Sequence, residues 1–341
     1  MTHISVVVPV LNGAEQLAQC LARLTTSANG TTEIVVVDDG STDDSASVAL
    51  AAGARLVRLA QTSGPAAARN HGARAAKGDV LFFVDADVVV APDALDRVAR
   101  VFEAHPDVAA VFGSYDARPA AAGTVSQYRN LLHHFVHQQG NPEASTFWAG
   151  CGAIRRSVFE AIGGFDAARF RYPSIEDIEL GSRMRRAGYR IVLDRELQGT
   201  HLKRWTLRSV IQTDVTRRAI PWARLIVESG GAPDDLNLKR AQRASAALLV
   251  LACALTPLVA FRPGWAVAPL LALSIVIGLN HRLYRFFAHH GGYRFAAACV
   301  AMHFLYYLYS VLAYAYVWAA MRVRSAAART DVRRVAVSPK S

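Results

Sequence analysis

Two kinds of apolar pattern alternate through the first third of the chain. Short β-branched runs predict strands over residues 4–10, 33–37, 55–59, 80–84 and 108–112, and apolar positions at helical spacing predict helices over 14–25, 65–77 and 92–104. A further helix is expected to start at Ser41-x-x-Asp44. Strands that alternate with helices of this length form βαβ units. The pattern therefore predicts an α/β fold with a mostly parallel central sheet and helices on both faces.

The next hundred residues are less regular. Helices are expected over 125–138 and 175–187, an extended segment over 147–155 and a strand over 190–193. From Thr206 to Glu228 apolar residues recur at helical spacing with arginines between them, and Pro221 predicts a kink. This segment fits a helix lying on a membrane surface, and it equally fits an amphipathic helix packed on the domain. Residues 230–235 form the best linker.

Three apolar runs, at 244–261, 265–279 and 295–320, occupy the last third of the chain. At about 1.5 Å per residue, the first and third are long enough to cross a hydrocarbon core of about 30 Å, and the second is marginal. We therefore expect a domain over 1–205, an interfacial helix and linker over 206–238, two or three membrane segments within 239–321 and a basic tail over 322–341. The number of passes stays open, because three would place the arginines of the tail outside, against the positive-inside tendency.

Charge divides the chain at the same place. Residues 1–236 carry 25 Lys/Arg and 26 Asp/Glu, a net of −1, whereas residues 237–341 carry 13 Lys/Arg and one acid, a net of +12. Basic residues beside apolar runs indicate membrane anchoring and argue against nucleic-acid binding. No signal-peptide pattern precedes the first strand, so we expect a multi-pass protein of the cytoplasmic membrane with residues 1–236 in the cytosol. The four cysteines are far apart and predict neither a disulfide framework nor a zinc site.

Carboxylates stand where predicted strands end or a predicted helix begins: Asp38-Asp39, Asp85-Ala86-Asp87 and Glu176-Asp177. A DxD at a strand end presents two carboxylates on one side of the pleat, and such oxygen ligands suit Mg²⁺ or Mn²⁺, which also bind diphosphates. Each acidic pair alone equally fits a turn or a helix N-terminus. The chain has no GxGxxG or Walker-type loop, which disfavours a dinucleotide oxidoreductase or an NTPase.

The order of the motifs carries more information than any one of them. Over residues 3–205 the chain presents, in turn, a valine-rich strand with Pro9, Asp38-Asp39-Gly40-Ser41, Ala68-Arg69-Asn70, Asp85-Ala86-Asp87, Gly150-Cys151-Gly152, Glu176-Asp177 and His201-x-x-Arg204-Trp205. This series resembles family 2 of the glycosyltransferases, whose nucleotide-binding domain has the GT-A fold. The apolar runs that follow resemble those of the membrane-bound members.

The resemblance implies a role for each motif. The nucleoside would be held by the first two motifs, through Pro9, Val10, Asn12, Asp38 and Asp39. Arg69 would contact the nucleotide or its phosphates, and Asp85 and Asp87 would hold the divalent ion that bridges the diphosphate. Asp177 corresponds to the catalytic base, and Glu176 would share this work or raise the pKa of Asp177 by like-charge repulsion. A structural alternative stays open for three of these motifs. Asp38-Asp39 also fits a turn with a helix cap, Arg69 fits an arginine on a helix surface, and Glu176-Asp177 fits a helix N-terminus.

The last motif departs from the family pattern. His201-x-x-Arg204-Trp205 is similar to the QxxRW motif of processive polysaccharide synthases, with His in place of Gln. His201 is interpreted as a metal ligand or a diphosphate contact, with a structural histidine as the alternative, and Arg204 and Trp205 as part of the substrate site. His133-His134-x-x-His137 has the spacing of a zinc helix but lacks the glutamate that a metalloprotease needs. We interpret it as a wall of the acceptor site or as a solvated helix.

These inferences together predict a metal-dependent, inverting glycosyltransferase of the hexosyl-transferring class. The donor would be a nucleotide-sugar, most often a UDP-sugar in the family, and the acceptor a lipid or polyprenyl-linked molecule of glycolipid or cell-envelope biosynthesis. The alternatives are a processive polysaccharide synthase, an inactive membrane scaffold with a transferase-like domain, and a nucleotidyltransferase of related fold. The last is disfavoured because residues 9–12 are not a Gly-rich loop. The sugar, the base and the acceptor stay open.

Overall fold

The structure, a computed structural model, describes residues 2–336 of the chain. It divides into two compact units. The first unit comprises the chain up to Leu207 together with Asp235–Asn237, and the second comprises Arg208–Asp234 and the chain from Leu238 onwards.

The first unit is built on an eight-stranded sheet within the described residues. Its strands, in chain order, are β1 (Ile4–Val10), β2 (Thr32–Asp38), β3 (Arg55–Arg58), β4 (Val80–Val84), β5 (Val88–Val90), β6 (Val108–Tyr115), β7 (Cys151–Arg155) and β8 (Arg190–His201). The spatial order is β3-β2-β1-β4-β7-β6-β8-β5. Four neighbouring pairs are parallel and three, which involve β7 and β5, are antiparallel. The predicted α/β class with a mostly parallel sheet is confirmed.

Seven helices accompany this sheet: α1 (Ala14–Ser27), α2 (Ser45–Ala51), α3 (Pro65–Ala75), α4 (Ala94–Ala104), α5 (Thr124–Gln138), α6 (Arg156–Ala161) and α7 (Glu176–Arg186). The central strand β4 is buried along its whole length, as its uninterrupted apolar sequence predicts for a strand covered on both faces. Pro65 begins α3, where its missing N–H costs nothing and its fixed φ suits the first turn. The elements that the sequence did not predict are β5 and α6, which are only three and six residues long.

The second unit contains helices of two characters. Residues from Leu207 to Glu228 form α8 (Leu207–Thr213), a π-helical turn (Asp214–Ala219) and α9 (Ile220–Glu228), with Pro221 in the first turn of α9. The predicted helix is therefore present, and its irregularity lies just before the proline, where the lost N–H loosens the helical ladder.

Apolar helices follow. They are α10 (Arg240–Leu255), continued by a 3₁₀ segment (Thr256–Ala260), and, after a second 3₁₀ turn (Pro263–Ala266), α11 (Val267–Leu279) and α12 (His281–Ala336). Gly292, with φ +77°, interrupts α12. Within the described residues two segments, Arg240–Ala260 and His281–Val323, have the length and composition of a membrane span, and Pro263–Leu279 is shorter. Of the predicted tail, residues 337–341 lie outside the described residues.

Candidate active site

A short pair of strands brings Asp87 and His201 together. Asp87 immediately precedes β5, which pairs antiparallel with the end of β8 so that Val88 lies opposite His201. The N–H of Leu202 donates a hydrogen bond of 2.8 Å to the carbonyl of Asp87. As a result the Nε2 atom of His201 lies 3.4 Å from Oδ2 of Asp87. Burial alone would raise the pKa of Asp87, but His201 and Lys203 hold it below its usual value.

The other carboxylate of the DxD motif has a different partner. Oδ1 of Asp85 accepts a hydrogen bond of 2.6 Å from Nη2 of Arg69, and the side chain of Asp85 is 32% exposed. Asp85 and Asp87 lie on either side of the turn between β4 and β5, so one carboxylate meets the arginine and the other the histidine. That both carboxylates hold one ion stays a prediction.

The pair of Asp87 and His201 fits a divalent ion. Two neighbouring ligands at about 2.1 Å from one octahedral ion are roughly 3 Å apart, close to the distance between these two side chains. Within residues 2–336 no group of three or more His, Cys, Asp and Glu side chains is arranged to hold a metal. Mg²⁺ is commonly bound through only one or two carboxylates, with substrate phosphates and water completing its shell. Asp87 and His201, with Asp85 nearby in the chain, are the residues that could hold the ion.

Arg69 ties the two acidic motifs to each other. It lies on α3 with only 5% of its surface exposed, which excludes the interpretation as a helix-surface arginine. Its Nη1 donates a hydrogen bond of 2.8 Å to Oε1 of Glu176, while its Nη2 reaches Asp85. The second oxygen of Glu176 accepts the N–H of Ser174 at 2.9 Å. Glu176 is thus engaged on both oxygens, and its predicted share in the catalytic work stays a prediction.

Asp177 follows Glu176 in the first turn of α7, and main-chain N–H groups position its carboxylate. Its Oδ2 accepts the N–H of Ala149 at 3.0 Å, and its Oδ1 accepts the N–H of Ile178 at 2.8 Å. Burial, and after it the negative charge of Glu176, raises the pKa of Asp177 to about 7. Repulsion by Glu176, the cause expected from the sequence, is therefore the smaller of the two, and burial is the larger. A carboxyl group with a pKa near neutrality is suited to accept a proton.

The acidic motif after β2 organises two loops. Oδ1 of Asp38 accepts the N–H of Ser41 at 2.7 Å, and its Oδ2 lies 3.3 Å from Nε of Arg58. Asp39 accepts the N–H groups of Ser63 and Gly64, at 2.7 and 2.9 Å, just before α3 begins. Both carboxylates are buried and shape the carboxyl end of the sheet. Their direct contact with a nucleoside stays a prediction.

The loop after β1 is fixed by Asn12, which adopts the left-handed conformation with φ +51°. Its Oδ1 accepts the N–H of Thr42 at 2.8 Å, and its own N–H donates to Oγ of Ser41 at 3.0 Å. The preceding Val10 is buried at the end of β1, and Pro9 is half-buried. The first two motifs therefore meet at one edge of the sheet, where parallel α/β sheets bind ligands.

Aromatic and histidine rings pack beside His201. The ring of Tyr115, at the end of β6, is stacked on His201 with 4.3 Å between centroids and 7° between planes. The ring centroid of His133 lies 4.2 Å from that of Tyr115 and 3.9 Å from that of His137. The ring centroid of Trp148 lies 4.6 Å from that of His133. Burial lowers the pKa of His137 to about 4 and that of His133 well below its usual value, so both are neutral. The solvated-helix interpretation is wrong for the buried His137, and a role of these histidines in the wall of an acceptor site stays a prediction.

At the end of the QxxRW-like motif, Arg204 is exposed to solvent, whereas Trp205 contacts the rest of the domain. The main-chain N–H of Trp205 donates to Oγ of Ser126 at 2.8 Å, and Nζ of Lys203 lies 4.4 Å from the centroid of the Trp205 ring. These contacts attach the segment to the start of α5. The predicted substrate contacts of Arg204 and Trp205 stay predictions.

The fold and this edge of carboxylates define an α/β nucleotide-binding domain of the GT-A type. Over 92% of this chain and 87% of the other, the fold is similar to that of the mannosyltransferase PcManGT from Pyrobaculum calidifontis, solved in complex with GDP-Man and Mn²⁺, with a TM-score of 0.55 and 19% identity. Residues 5–163 match the family model described as glycosyl transferase family 2. Over these residues the chain is similar to family 2 of the glycosyltransferases.

Two curated relatives are sugar transferases by name. An uncharacterised glycosyltransferase of Nostoc sp. is 31% identical over 49% of this chain and 55% of its own length. An undecaprenyl-phosphate 4-deoxy-4-formamido-L-arabinose transferase of Pseudomonas savastanoi is 35% identical over 47% of this chain and 49% of its own length. The chain thus spans about half the length of these two relatives.

Proposed function

We propose that the protein is a metal-dependent, inverting glycosyltransferase that moves a sugar from a nucleotide-sugar to a membrane-associated acceptor. The observation that carries the proposal is the position of the Asp177 carboxyl in the first turn of α7, where it accepts the N–H groups of Ala149 and Ile178 and its pKa is raised to about 7. Its neighbour Glu176 is connected through Arg69 to Asp85 of the DxD motif. A base for the acceptor and acidic groups for the donor therefore belong to one edge of one sheet.

The chemistry follows from these positions. Asp177 would accept the proton of the acceptor hydroxyl while that oxygen bonds to the anomeric carbon of the sugar. The bond between the anomeric carbon and the phosphate oxygen breaks, and the nucleoside diphosphate leaves with the electron pair, which inverts the anomeric centre. Asp87 and His201 would hold a divalent ion, which supplies charge neutralisation for the leaving diphosphate. An acceptor phosphate, with a second pKa near 6, would need little help from the base.

The donor side rests on the loops that Asn12, Asp38 and Asp39 fix at the carboxyl ends of β1 and β2. A nucleoside would lie against this edge, as ligands of parallel α/β sheets do. GDP-Man is bound by the archaeal mannosyltransferase of similar fold, and UDP and GalNAc by GalNAc-T7, with a TM-score of 0.50 and 17% identity. Both structures also contain Mn²⁺. These complexes support a nucleotide-sugar donor and a divalent ion here.

Two features support a membrane-associated acceptor: the exposed apolar side chains of the second unit and the names of the relatives. Large apolar side chains of α11 and of the segment before it are exposed, among them Phe261 (83%), Val267 (70%) and Leu270 (61%). Such a surface is suited to lipid. Relatives named undecaprenyl-phosphate transferases support a polyprenyl-phosphate or another lipid as acceptor. We therefore assign the enzyme to the cytoplasmic membrane, with the first unit facing the cytosol.

Donor binding and turnover by the purified full chain in detergent test the proposal. UDP-, GDP- and dTDP-sugars are titrated with Mn²⁺ or Mg²⁺, and hydrolysis, transfer to a lipid-linked hydroxyl acceptor and transfer to a short polyprenyl phosphate are followed. We expect Asp87→Ala to abolish metal-dependent binding and Asp177→Asn to keep binding but to lose transfer to a hydroxyl acceptor. Asp96→Asn, at an exposed position on α4, is the matched control and should behave as the wild type. Absence of binding for every nucleotide-sugar would contradict the proposal and favour the scaffold alternative.

A further inference from the structure

The helices α10 and α11 form a hairpin whose two ends are joined by buried polar contacts. Nδ2 of Asn280, directly after α11, donates to Oγ of Ser245 in the second turn of α10 at 2.9 Å. The hydroxyl of Tyr307, on α12, donates to Oδ1 of Asn280 at 3.0 Å. At most 8% of each of these three residues is exposed. The start of α10 and the end of α11 therefore lie at the same end of the hairpin.

Cations surround this end. Lys239, Arg240 and Arg243 lie at the start of α10, and Arg282 and Arg285 lie at the start of α12, directly after Asn280. We call these five residues the cationic collar. Both arginines of α12 are exposed, whereas the side of the helix that carries Leu283, Tyr284 and Phe287 is buried. The arginines therefore project from the protein.

Few acidic residues lie near the collar in the sequence. Residues 236–330 contain no Asp or Glu. Asp234, before α10, lies 3.6 Å from Arg240 and 3.8 Å from Arg243, and its side chain is 52% exposed. One carboxylate shared by two exposed arginines leaves a positive surplus, to which Arg282 and Arg285 add. The collar is therefore suited to bind anions from outside the chain.

The opposite end of the hairpin differs. Its turn, Arg262-Pro263-Gly264, has a single cation between the exposed Phe261 and Trp265. From Arg240 to Ala260 the helix has 21 residues, a length of about 31 Å at the usual rise, which matches the hydrocarbon core of a bilayer. The hairpin is thus apolar along its length and strongly basic only at its open end.

We propose that the cationic collar binds the headgroups of anionic phospholipids at one membrane face, with the hairpin inserted from that face. This inference rests on the membrane attachment within the proposed function and adds to it the lipid charge, the residues and the direction of insertion. A basic cluster beside an apolar segment is attracted to anionic lipids at the cytosolic leaflet, and such clusters stay on that side. The direction places both helix ends on the face where nucleotide-sugars are found.

The test uses the full chain in maltoside micelles and measures energy transfer from its tryptophans to dansyl-labelled phosphatidylglycerol or phosphatidylcholine. The quantity is the ratio of the two affinities. We expect the wild type to prefer phosphatidylglycerol at least ten-fold, and the preference to shrink as salt is raised from about 0.05 M to 0.5 M. Arg282→Gln and Arg285→Gln should each reduce the preference about five-fold, since each cation near an anionic surface contributes on the order of 1 kcal/mol.

Arg262→Gln is the matched control because it removes one exposed arginine of the same hairpin at its other end. It should leave the preference unchanged. Equal affinities of the wild type for the two lipids, or a loss in Arg262→Gln as large as in Arg282→Gln, would overturn the inference. Absence of transfer to either lipid would overturn membrane attachment as well, whereas donor binding would test the glycosyltransferase proposal separately. The wild-type comparison of lipids needs no variant, so a folding defect cannot imitate the result.

Discussion

The raised pKa of Asp177 makes the stability of the protein depend on pH in a way that one substitution isolates. The carboxyl has its pKa at about 7, against an ordinary value of 3.8, because it is partly withdrawn from water and lies beside Glu176. Between these two pH values the folded chain keeps a proton that the unfolded chain has released. The folded state therefore loses stability as pH rises through this window, and above pH 7 the full cost of ionising the buried group is present.

The magnitude follows from the two pKa values. A difference from 3.8 to about 7 corresponds to about 4 kcal/mol at most, with a slope of up to about 1.4 kcal/mol per pH unit. Asp177→Asn has the same shape but no titrating proton, and its amide oxygen can still accept one of the two N–H groups from Ala149 and Ile178. The lost second hydrogen bond adds an offset that does not change with pH.

The assay is urea unfolding of the full chain in detergent at several pH values from 4 to 8.5, followed by tryptophan fluorescence. We expect the unfolding free energy of Asp177→Asn minus that of the wild type to rise by about 4 kcal/mol between pH 4 and 8 and then to level off. Asp96→Asn, which removes an exposed carboxylate, should show no such rise. A difference for Asp177→Asn that is flat across the range would refute the reasoning, because Asp177 would then titrate alike in both states.

Three further substitutions test other parts of the site. Arg69→Met leaves Asp85 and Glu176 without their shared guanidinium and should destabilise the chain by about 3–5 kcal/mol in urea unfolding, whereas Arg74→Met, exposed on the same helix, should change little. Tyr115→Leu removes the ring that is stacked on His201 and should weaken Mn²⁺ binding in the presence of UDP about 10–100-fold, as measured by electron paramagnetic resonance. Tyr115→Phe keeps the ring and should keep the affinity. An equal loss of affinity in the core variant Phe102→Leu would contradict a positioning role for Tyr115. Asp39→Ala leaves the N–H groups of Ser63 and Gly64 without their acceptor and should cost about 1–3 kcal/mol in the same unfolding assay, unlike Asp96→Ala, whose carboxylate is exposed on α4.

The sequence predicted the first unit well where a pattern extends over several residues. The strand predicted over 4–10 is β1 in full, and the helix predicted over 125–138 is α5 with one more residue at its start. It failed for β5, whose three valines follow the DxD turn too closely to form a recognisable run. It also ended β8 at residue 193, because residues 194–201 are mostly polar although the strand continues to His201. Those two misses concern the pairing that brings His201 to Asp87.

Partners distant along the chain were not predictable from periodicity or from local motifs. Arg69 and Glu176 are 107 residues apart, and nothing in either motif indicates that they form a buried ion pair. The stacked rings of Tyr115 and His201 also join two different strands. The spacing of His133 and His137 was visible, yet its meaning depends on Tyr115 and Trp148, which exclude water from both rings. The family resemblance named the residues, and only the fold could show their partners.

Burial, and after it the negative charge of Glu176, raises the pKa of Asp177, and the hydrogen bonds around it show why this rise is not fully offset. Arg69 donates hydrogen bonds to both Asp85 and Glu176, so its two terminal nitrogens are already engaged with carboxylates. Asp177 receives only main-chain N–H groups, which offset part of the cost of burial but supply no full positive charge. A third carboxylate in the same buried region is therefore the one that keeps its proton towards neutral pH. Arg69 is thus engaged with the neighbouring carboxylates, and Asp177 is left as a carboxyl group that can gain or lose a proton near neutral pH.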